Sequence, residues 1–353
     1  MEFGISCARV DEVGLVSYAE SLGYNFCWAT DSPMLRSNPF AVLALAAQAT
    51  RWMRLGVGVA VPGLREAPEL ANGIATINRL APGRTFLGVG TGNTAMRTLG
   101  RPPVKIKAFG QYIRVVRALL DGDEARYESA EGAHPVRFQN LADNSVAIEP
   151  RIPIEIGGFG PRSQSLAGEL GDGLITSIPR GGSIGSAWSH VHRGAERVGR
   201  KIQNFSMTAL VNVLMLKPGE SLASERVIRE CGPAIMANVH YLVDFVRETG
   251  AEPPDYVLPI WEEYLAFHKT RDSATSHQAL HDSHYSYLDA EESRFITPQM
   301  IRNFCVAGAP DEIVERLQTL EEEGLTAVSF IPPNDERMRM YEDFARHVIA
   351  EMN

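Results

Sequence analysis

Two hydrophobic rhythms alternate along the chain. Short apolar runs with strand character are followed by stretches whose apolar residues recur at helical spacing. Residues 2–7, 25–29, 53–61 and 84–90 read as strands, and residues 11–22, 39–50, 68–80 and 104–120 as helices. In the first helix the apolar set is Val13, Leu15, Val16, Ala19 and Leu22, and Gly23 closes it. Four such units predict parallel strands joined by right-handed crossovers. Residues 124–149 interrupt the rhythm and read as a hairpin extension around Ala130-Glu131-Gly132.

The stretch IPIEIGGFGPRSQSLAGELGDGLITS, residues 152–177, restores the rhythm as strand, glycine turn, helix, tight turn and strand. Residues 186–198 follow as a helix and 204–216 as a seventh strand. An insertion of about residues 218–297 carries helical patches at 224–246, 256–269 and 276–287. Residues 310–323 are a helix, 325–331 an eighth strand and 335–352 the closing helix. The count gives an α/β fold: a (β/α)8 TIM barrel spanning 1–353 as one domain, with a hairpin extension and a helical insertion after strand seven. The runner-up architecture is an open doubly wound sheet with a separate second domain.

Charge and cysteine usage narrow the partners. The formal net charge of −9 over 353 residues argues against nucleic acid and anionic membrane surfaces. The start, MEFGISCARVDEVG, has no basic or apolar leader pattern, and no apolar run reaches the ~20 residues of a membrane span. Cys7, Cys27, Cys231 and Cys305 fit no zinc spacing, so a reduced, cytoplasmic protein is expected.

In such a barrel the chemistry sits on loops that follow the strands. Here those are Ala8-Arg9 and residues 30–36, 61–65, 90–94, 157–163, 177–182 and 216 onward, rich in glycine and small polar residues. The junction at Gly158, Gly160, Arg162 and Ser163 combines glycines, a helix N-terminus, a cation and a hydroxyl. It reads either as a phosphate site or as an ordinary strand-to-helix turn. It lacks the third glycine of the dinucleotide fingerprint and the Gly-Lys-Ser/Thr of a Walker loop. Asp31, directly after the second strand, is an acid/base group or a heterocycle anchor; as structure it caps a helix or orients an arginine. Arg65 and Arg97 meet an anion or pair at the surface. His277, His281 and His284 share one face if their stretch is helical; Asp282 and Asp289 are close, but no nearby pair of carboxylates or thiolates completes a metal site, and no metal is expected. His240 reads as packed.

Several motifs then coincide: GYNFCWATDS (residues 23–32), LAAQATRWMRLGVGVAVP (45–62), INRLAPGRTFLGVGTGN (77–93), the central stretch above, and AGAPDEIVERLQTLEEEGLTAVSFIPP (307–333). In order and spacing the chain resembles the bacterial luciferase-like monooxygenase superfamily of flavin and deazaflavin oxidoreductases, and within it the methylenetetrahydromethanopterin-reductase-like branch. The resemblance implies a reduced flavin-type cofactor at the C-terminal mouth of a barrel, in a homodimer or higher homo-oligomer. Gly58-Val59 matches a non-prolyl cis bulge that backs the ring system in deazaflavin members. Gly158 to Ser163 match the phosphate-binding turn, and Asp31 and Asn93 stand where members contact ring or ribityl groups. Luciferase-type members often carry histidine after the second strand, whereas Thr30-Asp31-Ser32 stands here.

The first functional expectation is a two-component monooxygenase, with FMN supplied reduced by a separate flavin reductase. O2 and this flavin form a flavin peroxide that oxygenates a small organic substrate, with Asp31 as the catalytic residue. The second is hydride transfer with the deazaflavin coenzyme F420. The third is a non-catalytic flavin-binding protein.

Overall fold

The alternation of strand and helix persists in three dimensions, and the strands close on themselves. The computed structural model describes residues 1–130, 132–178, 182–271 and 274–352. Glu131 of the expected hairpin turn and residues 179–181 of the expected mouth loop 177–182 lie outside the described residues. The chain divides into two compact units: Met1–Met96 with Pro102–Leu210 and Glu323–Ser329, and Arg97–Arg101 with Val211–Glu322 and Phe330 onward.

The first unit contains β1 (Glu2–Cys7), β2 (Phe26–Ala29), β3 (Arg54–Ala60), β4 (Thr85–Val89), a hairpin of β5 (Ala125–Ser129) and β6 (Gly132–Val136), then β7 (Ile154–Gly157), β8 (Gly173–Ser177) and β9 (Ser206–Leu210). Eight parallel strands close a barrel in the order β1, Ala327–Ser329, β9, β8, β7, β4, β3, β2. Its helices are α1 (Val13–Ser21), α2 (Pro39–Ala49), α3 (Ala67–Leu80), α4 (Asn93–Arg97, which runs to the unit boundary), α5 (Ile106–Leu120), α6 (Pro161–Leu170) and α7 (Ile184–Arg197). On α5 the buried set Phe109, Ile113, Val116 and Leu120 follows the helical period and marks the face turned to the strands. Asn38 caps α2 by accepting from the Phe40 N–H at 3.0 Å, with Pro39 at the first helical position.

Inside the barrel, bulk on two strands is matched by its absence on their neighbours. Phe26, Trp28, Phe86, Ile175 and Ala327 form the buried interior cluster. Phe26 and Phe86 meet edge to face at 6.2 Å. A Cβ on Gly56 would lie 2.5 Å from the Phe86 ring, one on Gly58 2.5 Å from Trp28, and one on Gly4 would overlap Phe26. Below the aromatics the filling turns polar. Arg54 lies over the Phe26 and Phe86 rings at 5.8 and 5.6 Å and pairs with Glu2, and Glu155 is buried nearby.

The second unit contains β10 (Asn212–Met215) and β11 (Cys305–Gly308), which pair in parallel. Its helices are α8 (Glu225–Thr249), α9 (Leu258–Thr270), α10 (Ser276–Ala279), α11 (Pro298–Phe304), α12 (Pro310–Glu322) and α13 (Arg337–Phe344). The eighth barrel strand, β12 (Ala327–Ser329), belongs to the first unit. An apolar cluster that includes Val239, Trp261, Tyr264, Phe295 and Phe304 forms the core of the second unit. Among the described residues no helix is long and apolar enough to cross a membrane.

Two expectations are corrected. The single strand expected over 204–216 is two: β9 stays in the barrel, and β10 pairs with β11, a four-residue strand not anticipated from sequence. The helix expected over 276–287 ends at Ala279. His277, His281 and His284 therefore share no helix face.

Glu155 gives the barrel a pH dependence. Burial pushes its carboxyl up to about 7, against the pull of Arg54 and a hydrogen bond from Ser206. From pH 4.5 to about 7 the folded chain then holds a proton that the unfolded chain has released. Stability must fall as pH rises through that window, by on the order of 3 kcal/mol. Denaturant unfolding at pH 5 and pH 8 should show this loss, and Glu155→Gln should remove most of the difference; an unchanged difference contradicts the assignment.

Candidate active site

Parallel closure brings the C-terminal ends of the strands to one mouth. After β2 the chain continues as Thr30-Asp31. The Asp31 side chain is 1% exposed, and its Oδ2 accepts from Arg65, which follows β3 and is itself 13% exposed. Arg65 also lies over the Phe40 ring at 5.4 Å and 3.7 Å from Glu69, and its carbonyl accepts from the Tyr112 hydroxyl at 3.1 Å. Burial pushes the Asp31 carboxyl above its ordinary value, while the Arg65 guanidinium opposes the shift. Asp31 is thus the carboxylate that orients an arginine, and Arg65 pairs inside the protein rather than at its surface. Asp31 Oδ1 has no partner among the described residues.

The ends of β3, β4 and β7 meet through one side chain. The peptide Gly58–Val59 is cis, and the β3–β4 ladder shifts register between Val57 and Ala60. Val59 lies against three glycines: a Cβ on Gly90 would come 2.6 Å from Val59 Cγ2, one on Gly88 3.1 Å from Cγ1 and one on Gly157 3.4 Å from Cγ1. The result is a shelf of three glycines with Val59 over all of them, and Ile175 Cδ1 also stands 2.9 Å from where a Cβ on Gly88 would be. Past β4, Gly92 has a φ of +80° and leads into Asn93, the half-buried first residue of α4. Ala95 and Met96 pack with Val61 from the loop after β3, which fixes this turn.

At the end of β7 the turn 157–160 feeds α6. A Cβ on Gly158 would lie 2.6 Å from Ser163 Oγ, so this approach requires glycine. The Gly158 N–H donates to the Ile175 carbonyl at 2.9 Å, and Ser163 Oγ donates to the Gly160 carbonyl at 3.0 Å. With Pro161 lacking an N–H, the donors that a helix leaves over at its first turn are those of Arg162 and Ser163. Gly160 faces open space, with nothing within 4 Å of a Cβ built there. Arg162 is exposed and also lines an outer groove shared with α5 and α7.

These residues fit a flat, anionic cofactor. Trp28 Nε1, Thr30 Oγ1, Asp31 Oδ1 and Ser329 Oγ, all at the ends of β2 and β12, are buried and have no partner among the described residues. Such groups cost about 1–3 kcal/mol each unless a ligand or solvent satisfies them. The glycine shelf leaves room for a ring system, and the first turn of α6 suits a phosphate. Sequence reasoning placed Thr30 and Gly90 in mouth loops without giving either a role, and it did not single out Ser329 or Gly88. Their signal was parity, since 28 and 30, or 88 and 90, fall on the same face of a strand and its extension.

The histidines belong to the second unit. His281 Nε2 lies 3.1 Å from Asp244, which also meets Arg97 at 3.4 Å. His240 Nε2 lies 2.9 Å from Glu292, whose Oε1 accepts from the Tyr264 hydroxyl at 2.7 Å. Arg97 is bound in this buried network, and its second nitrogen reaches Glu248 at 2.8 Å. Among the described residues no group of three or more His, Cys, Asp or Glu is placed to hold a metal ion.

Comparison with known proteins agrees with this architecture. The profile of the luciferase-like monooxygenase family matches residues 9–327. The chain is 26% identical over 318 residues to a 5,10-methylenetetrahydromethanopterin reductase of Archaeoglobus fulgidus, covering 89% of this chain and 86% of the relative. It shares its fold with the coenzyme F420-dependent tetrahydromethanopterin reductase of Methanopyrus kandleri, with a TM-score of 0.68 and 21% identity over 100% of this chain and 99% of that one. It shares it also with the oxygenating constituent of 3,6-diketocamphane monooxygenase of Pseudomonas putida, solved with FMN, with a TM-score of 0.62 and 15% identity over 99% and 98%.

Removing Arg65 leaves the Asp31 carboxylate buried without its counter-charge. Arg65→Met should lower stability at pH 7 by about 3 kcal/mol, and adding Asp31→Asn should restore much of it. Urea unfolding of the two variants measures this; equal loss in both would mean that the ion pair is not the cause.

Proposed function

We propose, from the premise that this chain belongs to the luciferase-like monooxygenase family and is an oxidoreductase, that it transfers hydride between a small organic substrate and a deazaflavin of the F420 type. The observation that carries the reading is the Val59 shelf, seated on glycines of β4 and β7. The near full-length likeness to a 5,10-methylenetetrahydromethanopterin reductase supports it. Bound there, the deazaflavin supplies a two-electron carrier whose ring carbon, in place of the flavin nitrogen, is inert to O2 when reduced.

The chain's own residues do the rest. Gly58 and Val59 back the ring, and Asn93 meets the ribityl chain. Gly158 and Gly160 keep the turn clear of side chains. The first-turn amides of α6, at Arg162 and Ser163, hold the phosphate. Asp31, fixed by Arg65 and with Oδ1 unpartnered, takes a proton from the substrate as the substrate is oxidised. The four cysteines form no disulfide, which fits a reducing, cytoplasmic setting.

The second reading is the FMN-dependent monooxygenase; the fold shared with an FMN-bound structure favours it. Anaerobic titration of the protein with F420 and with reduced FMN, followed by O2-electrode traces, separates the two. The account expects F420 to bind at least tenfold more tightly, with no O2 uptake beyond the cofactor-only blank. Preferential binding of reduced FMN, with protein-dependent O2 uptake, would reverse the order.

Asp31 also sets a pH limit. Because its carboxyl is raised above the ordinary 3.8 and must be ionised to accept a proton, kcat/KM should fall as pH drops through that raised value. Asp31→Asn should lower kcat by roughly 10²-fold or more and abolish that acid limb. A limb that survives in the variant assigns it to another group.

A further inference from the structure

The outer wall of the first unit carries a second recess. Between α5, α6 and α7 lies a cavity of about 540 Å³. It is lined by Lys107 and Arg114 of α5, Arg162 and Glu169 of α6, and Arg193 and Arg197 of α7. Glycine shapes it. A Cβ on Gly168 would overlap the Val191 carbonyl, and one on Gly194 the Ser165 carbonyl, so α7 closes directly onto α6. On the other flank Gly110 of α5 brings that backbone against Leu166, 3.3 Å from where its Cβ would stand.

The charges in this recess do not cancel. Glu169 is the one carboxylate among these six residues; it pairs with Arg197 and lies 3.9 Å from Arg114. Lys107, Arg162 and Arg193 enter no ion pair among the described residues, although the protein as a whole carries a net charge of −9. Five cations in one recess of an acidic chain repel one another, and nothing in the helix packing requires them there. From Arg162 to Glu169 the recess follows seven residues of α6, roughly 10 Å at the helical rise. A single phosphate cannot reach across that length.

We propose that this recess is a binding site for an extended oligoanion, a molecule with two or more linked phosphate or carboxylate groups. Arginine presents paired donors that match either group, and lysine adds a point charge. The inference does not depend on which cofactor the mouth accepts.

Isothermal titration calorimetry of the full-length, cofactor-free chain tests it, with inorganic phosphate, tripolyphosphate and triglutamate as probes. At least one oligoanion should bind at a single site ten or more times more tightly than phosphate, and the tighter of the two identifies the chemistry. Affinity should fall with rising salt. The double variant Lys107→Ala/Arg193→Ala should weaken that binding at least tenfold without shifting the thermal midpoint appreciably, since both side chains are exposed and make no ion pair. Arg126→Ala, which removes an exposed cation of the β5–β6 hairpin, should leave it unchanged. Oligoanions no tighter than phosphate, or equal losses in the Arg126 control, would overturn the proposal.

Discussion

The first unit depends on where its inner wall lacks side chains. A closed barrel of parallel strands has a fixed interior, and each inward position either fills part of it or leaves it to a neighbour. At the level of Phe26, Trp28 and Phe86 the neighbours are Gly4, Gly56 and Gly58, and the space is closed by aromatic rings. One level higher the glycines continue through Gly88, Gly90 and Gly157; Val59 leans over all three, and Ile175 also meets Gly88. The same exclusion of Cβ atoms that packs the core therefore opens the mouth. A change from glycine acts differently at the two levels: lower down it collides with a ring, at Gly90 it displaces Val59, and at Gly88 it meets the Val57 carbonyl first.

Polar groups respect the same division. At the base, Arg54 is paired with Glu2 and stacked on aromatic rings, and Glu155 receives a hydrogen bond from Ser206. At the mouth, the Asp31–Arg65 pair satisfies one carboxylate oxygen and leaves the other open beside Thr30. A buried ion pair contributes little net stability because both charges lose water. What it supplies is a carboxylate held in one orientation by an arginine that is itself held against Phe40 and by Tyr112 through its backbone.

The barrel was legible because its signals are local and repeated. Eight apolar runs alternating with helical stretches favour a closed parallel array over the open doubly wound sheet, which needs fewer parallel strands. The strand break at Val211 was hidden, since Asn204 to Leu216 has strand character throughout, with single polar residues at 206, 208 and 212 between apolar ones. Only pairing with Cys305–Gly308, some ninety residues on, separates β10 from β9. The helix misread at 276–287 has the same origin. His281 is held by Asp244, Tyr285 adopts a φ of +61°, and these tertiary demands override the spacing. At the candidate site, the place of Asp31 after a strand and the glycine turn before α6 were legible as positions. The Asp31–Arg65 pairing and the roles of Thr30, Ser329, Gly88 and Gly90 required the strand register. Arg162 shows the limit of a motif: it stands in the turn the motif marks, yet it also lines the outer recess beside α5 and α7.

The central claim is that the glycine-backed mouth and the first turn of α6 act together on one molecule. A crystal structure of the protein with oxidised F420 tests it most directly. The account predicts the ring lying against Val59, with its phosphate hydrogen-bonded to the backbone amides of Arg162 and Ser163. A ring bound away from Val59, or a phosphate held elsewhere while the α6 turn stays bare, would contradict it.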